Sequence, residues 1–89
     1  MIRFSLGKCK TRAGFSAKLL QKGMLDLDKL KKRYAVLLET PIVLVVKAEG
    51  MEIIVHHYGE LLFKDGTDVS LMERVAREMY ELSVTQSMH

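Results

Sequence analysis

Tryptophan is absent from this 89-residue chain, and cysteine and proline each occur once. The lone Cys9 excludes an internal disulfide, so whatever holds the domain together must be packing and hydrogen bonding. A chain without an oxidised framework fits a reducing compartment, and a cytoplasmic protein is expected. One proline, Pro41, and no Gly/Ser-rich stretch leave no linker to divide the chain into domains. The longest apolar run, Ile42 to Val46, is far short of the roughly 20 residues a membrane span needs. The basic N-terminal stretch likewise lacks an apolar run of signal-peptide length.

What is present is 48% hydrophobic residues, too many for a chain that stays unfolded. The length allows one domain, 1–89, with one core and a thin stability margin. The net charge of +3 conceals a division. Through Arg33, ten basic residues face two acidic ones, for a net +8. From Tyr34 onward four basic residues face nine acidic ones, for a net −5. Such asymmetry points to an anionic partner for the first third, to attraction between copies, or to a merely solvated basic face.

Periodicity then assigns elements. Residues 2–9 alternate as a strand, with Ile2, Phe4 and Leu6 on one side. Residues 14–22 predict a helix presenting Phe15, Leu19 and Leu20, stopped at Gly23. A second short helix starts after Asp26, whose carboxylate can cap free N–H groups. Tyr34–Glu39 suits either a strand or a continuation of that helix. Ile42–Ala48, Met51–His56 and Glu60–Lys64 read as strands, joined by the two-residue loop Glu49-Gly50 and the three-residue loop His57–Gly59. Ser70-Leu71-Met72-Glu73 has the form of a capping box. Met72, Val75, Ala76, Met79 and Leu82 continue it as one helical stripe, and residues 83–89 form a frayed tail. The predicted fold is α+β, a two-layer sandwich of about five antiparallel strands with helices on one face, in the order β-α-α-β-β-β-β-α.

The loop lengths fix a register. Val46 meets Ile53, Leu44 meets Val55, and Val55 meets Leu61, which places one nearly all-apolar face beneath the helices. The other face then carries Val43, Val45, Ile54 and Leu62 inside a border of Lys47, Glu52, His56, Glu60 and Lys64. An aliphatic centre with a polar rim is the pattern of an interface. Cover by a helix or by the N-terminal segment is the competing arrangement, and three short helices are few for two faces. Val43, Val45, Ile54, His56 and Leu62 are therefore the candidate interface residues.

Catalytic and metal chemistry find little footing. His56 and His57 are neighbours on a strand and point to opposite faces, so they do not chelate one ion together. Cys9, His56 and His89 have no zinc-ligand spacing. Lys8-Cys9-Lys10-Thr11-Arg12 ahead of Ala13-Gly14 offers a basic loop without the spacing of a P-loop. No nucleophile–base pair and no carboxylate pair stand out. No enzyme, no metal and no cofactor are expected. The candidate anion-binding residues are Lys8, Lys10, Arg12, Lys18, Lys22, Lys31, Lys32 and Arg33.

The layout from Leu25-Asp26-Leu27 to Leu82, centred on Glu52-Ile-Ile-Val-His-His-Tyr-Gly59-Glu-Leu-Leu-Phe-Lys64, resembles one repeat of the TATA-box-binding protein fold. It is also similar to small archaeal proteins of unknown function built on that single-repeat plan. The resemblance implies an open concave sheet face, which in that family grips the DNA minor groove with phenylalanine wedges. His56 stands at the wedge-like place, and Glu60 stands where the family usually has a basic residue. One repeat supplies half of a saddle, so the resemblance also implies a homodimer. The expected function is a non-catalytic interaction module that associates with a second copy or a protein partner through the open face. The alternative is nucleic-acid binding by the basic N-terminal third.

Overall fold

Apolar and polar side chains alternate through most of the chain, and strands form wherever that alternation finds a neighbouring strand to pair with. The computed structural model describes residues 2–8, 14–21, 23–64 and 68–85. Two strands open the chain, β1 (Phe4–Lys8) and β2 (Phe15–Leu19), followed by the two-residue β3 (Met24–Leu25) and the helix α1 (Leu27–Arg33). A meander follows: β4 (Ala35–Glu39), β5 (Val43–Ala48), β6 (Met51–His56) and β7 (Glu60–Lys64). Helix α2 (Val69–Ser83) and the short β8 (Val84–Thr85) complete the order.

Among the described residues all pairings are antiparallel. Six strands form the main sheet in the order β1-β2-β7-β6-β5-β4, while β3 and β8 form a separate two-stranded sheet. The α+β class is thus as expected, with six strands in the main sheet rather than five.

The N-terminal order differs from the sequence reading. Of the expected helix 14–22, the described residues 14–21 do not form a helix; Phe15–Leu19 is a strand between β1 and β7. Phe15, Ala17 and Leu19 turn toward the core, whereas Lys18 is exposed and Leu20 is 58% exposed. A helix would have buried Leu20 beside Leu19. The strand instead satisfies its backbone on both sides, and that outweighs a weak local preference.

The cap of α2 also lies elsewhere. Asp68, not Ser70, is the N-cap, its Oδ1 accepting from the Leu71 N–H at 3.1 Å. An acidic side chain two residues earlier meets the orphan donors first, and Ser70 falls within the first turn. The pair Glu73–Arg77 forms at 3.1 Å as the spacing predicts. Val84 and Thr85, expected in a frayed tail, pair with Leu25 and Met24, and the Asp26 N–H donates to the Ser83 carbonyl at 2.7 Å. Asp26 caps α1 as anticipated, accepting from Asp28 N–H at 3.0 Å.

The core lies between the sheet and the two helices. Leu44, Val46, Ile53, Val55, Leu61 and Phe63 from the sheet meet Leu30 from α1 and Met72, Val75, Ala76, Met79 and Tyr80 from α2. Tyr80 is fully buried, and its hydroxyl donates to the Gly59 carbonyl at 2.7 Å. Burial, and secondarily the Glu60 charge, push its phenol above the ordinary value.

At the β5–β6 turn both loop residues have positive φ, 53° at Glu49 and 79° at Gly50. Glutamate is a poor occupant of that conformation. Glu49→Asn is expected to stabilise the protein by about 0.5–1 kcal/mol, read as a higher urea midpoint at unchanged m-value.

Candidate interaction surface

The hairpin at Glu49-Gly50 pairs Val43 with His56, Val45 with Ile54, and Lys47 with Glu52. The second hairpin pairs Ile54 with Leu62 and Glu52 with Lys64. Residues opposite one another in a ladder share a face, so Val43, Val45, Ile54, His56 and Leu62 lie together. Their chain neighbours Leu44, Val46, Ile53, Val55 and Leu61 are fully buried under the helices. The five candidate residues therefore point away from α1 and α2, and each is half-buried.

The register extends this surface beyond what the sequence reading named. Leu38 pairs with Val45 across a bulge between Val36 and Leu38. Leu38, Val45, Ile54 and Leu62 consequently form one continuous row over four strands, prolonged by the small Ser16 of β2 and Gly7 of β1. Leu38 is 56% exposed and Leu37, at the bulge, 51%. Simple alternation does not reveal Leu38, because the bulge resets which face each residue takes.

Charges border the row on both sides. On one side Lys64 reaches Glu52 at 3.5 Å, with Lys47 opposite Glu52. An exposed pair of this kind is worth less than about 1 kcal/mol, and it serves the border more than the fold. On the other side Lys18 lies opposite Glu60. The His56 ring packs on Tyr58 with centroids 5.1 Å apart, and the Tyr58 hydroxyl donates to Glu60 Oε1 at 2.8 Å. That hydrogen bond to a carboxylate raises the Tyr58 pKa, with slight burial adding to it. His57 belongs to the loop, its N–H donating to the Ile42 carbonyl and its own carbonyl accepting from Leu25 N–H. Among the described residues no group of three His, Cys, Asp or Glu side chains is placed to hold a metal.

The candidate anion-binding residues that the structure describes are not gathered in one place. Lys18 stands on the open face, and Lys8 ends β1. Lys31, Lys32 and Arg33 lie on α1, in the helical layer on the far side of the sheet. Lys31 is held by Glu39 at 2.6 Å and Asp28 at 3.0 Å, which raise its pKa in that order. Arg33 meets Glu78 at 3.3 Å, and Glu78 also accepts a hydrogen bond from the Tyr34 hydroxyl. The Tyr34 bond and then Arg33 keep the Glu78 carboxyl below its ordinary pKa despite some desolvation, while burial foremost pushes the Tyr34 phenol up. Lys10, Arg12 and Lys22 lie outside the described residues.

No helix among the described residues is long and apolar enough to cross a membrane. Comparison with family models, with curated proteins and with solved structures returns no match.

Proposed function

We propose that this protein is a cytoplasmic, non-catalytic interaction module that associates with a second copy of itself through the open sheet face. One observation carries the reading: Leu38, Val45, Ile54 and Leu62 form an unbroken aliphatic row on the side of the sheet away from both helices. Full burial of such a side chain contributes about 1.5–3 kcal/mol, and covering these half-exposed ones recovers part of that for each. The charged border would exclude water around the contact and select its orientation. The resemblance to a single TATA-binding repeat supports a pair of copies, without itself placing the contact on this face.

Size-exclusion chromatography with light scattering tests this reading. The wild type is expected to self-associate, and Ile54→Glu, which breaks the face contact, to run as a smaller species with unchanged circular dichroism. A wild type that stays monomeric at high concentration, indistinguishable from Ile54→Glu, would sink it.

A second reading, nucleic-acid binding, draws on Lys18, which stands on that open face. It requires an electrophoretic shift of DNA or RNA at low salt that weakens steeply as salt rises. Glu52 and Glu60 share the face and would oppose phosphate there.

A further inference from the structure

The main sheet ends in β1 on one side and β4 on the other, and the two edges are built differently. Strand β1 carries Lys8 and Gly7, Arg3 just before it donates its N–H to Gln21 Oε1, and the Arg77 guanidinium lies 5.3 Å over the Phe4 ring. A lysine on an edge strand is a device that discourages further strand pairing.

Strand β4 has no lysine. Its sequence from Ala35 to Leu38 is wholly apolar, and all five of its residues are exposed. Only the bulge between Val36 and Leu38 interrupts it. Its ladder partner is β5 alone, so its outer N–H and C=O groups face outward with no strand against them among the described residues. An edge of this kind is a template for another strand.

We propose that a second copy of this chain pairs antiparallel with the outer edge of β4. The charges at its two ends select the occupant. Lys32 and Arg33 precede the strand and Glu39 ends it. A strand with positive charge at its start and negative charge at its end complements an identical strand only when the two run in opposite directions. Within one copy Arg33 is engaged by Glu78 and Glu39 by Lys31. Lys32, by contrast, is exposed and has no ion-pair partner among the described residues, so it is the cation left to join Lys31 at the other copy's Glu39 end. Two-fold pairing of this kind leaves both open faces on the same side. The row Leu38–Val45–Ile54–Leu62 then continues through its symmetry mate as one band across both subunits. The edge contact is distinct from the face contact proposed above, because it uses the backbone of β4 and leaves Ile54 uncovered.

Sedimentation equilibrium on the full chain, with Leu37→Lys and Ile54→Glu, separates the two contacts. Leu37 is half-exposed at the bulge, and lysine in both copies sets like charges beside the two-fold axis. Edge pairing predicts that Leu37→Lys weakens dimerisation by about tenfold or more while Ile54→Glu leaves a dimer. The reverse pattern overturns edge pairing and keeps the face contact; a monomeric wild type overturns both. Should Leu37→Lys fail to fold, wild-type amide exchange decides. Protection of the 35–39 amides that rises with protein concentration supports the edge contact, and protection independent of concentration overturns it.

Discussion

Replacing Tyr80 with alanine is expected to lower stability by about 3–5 kcal/mol, the range for deleting a fully buried aromatic ring. A domain of this length has a total of about 4–13 kcal/mol, so the variant should melt at least about 12 °C lower or fail to fold. The ring is fully buried, and Phe4 packs on it with centroids 5.1 Å apart. Its hydroxyl meets the Gly59 carbonyl, which also accepts from the Leu19 N–H at 3.1 Å. One oxygen atom therefore ties β2, the β6–β7 turn and α2 together. Tyr80→Phe separates the two contributions. It removes one of two bonds to that carbonyl, so the acceptor is not orphaned, and the loss should be only about 0.5–1.5 kcal/mol. Urea unfolding of both variants measures the difference. Equal losses would mean that the hydroxyl, not the ring, fixes α2 to the sheet.

Gly59→Ala is expected to cost about 1–3 kcal/mol for its backbone conformation alone, with a steric penalty added. Gly59 has φ of 119°, a conformation in which side chains are rare, and a methyl group there would stand 2.9 Å from Leu19 Cβ. Two independent obstacles meet at one position. The turn cannot relax outward without breaking the Tyr80 bond, and Leu19 cannot retreat without disturbing the β1–β2 pairing. Thermal unfolding of Gly59→Ala beside Glu49→Asn gives a direct contrast, because the two turns are expected to respond in opposite directions. A Gly59→Ala protein as stable as the wild type would show that this turn has freedom the packing denies it.

Much of the sheet was legible because its hairpins are short. Two residues at Glu49-Gly50 and three at His57–Gly59 leave one register that buries Leu44, Val46, Ile53, Val55 and Leu61 together, and that register is observed. Segment 14–22 was not legible in the same way. Phe15, Leu19 and Leu20 fit a helix, Phe15, Ala17 and Leu19 fit a strand, and only the presence of β1 and β7 on either side decides between them. Leu38 escaped for a different reason, since a bulge is set by tertiary packing and leaves no sign in the alternation of a short apolar run. The helical stripe includes Leu82 and omits Tyr80, yet Tyr80 is fully buried and Leu82 only partly. Both residues flank the same stripe, and a phenol enters the core there because the Gly59 carbonyl awaits it.

The unequal edges of the sheet bear on how far assembly can proceed. A unit with two bare edges adds neighbours indefinitely and grows into a ribbon. Here Lys8 sets a charge on one end, which disfavours continuation there after a strand is added at the other. Under the proposed edge pairing, growth along the sheet would then stop at two copies, and an apolar border strand could persist without seeding a ribbon.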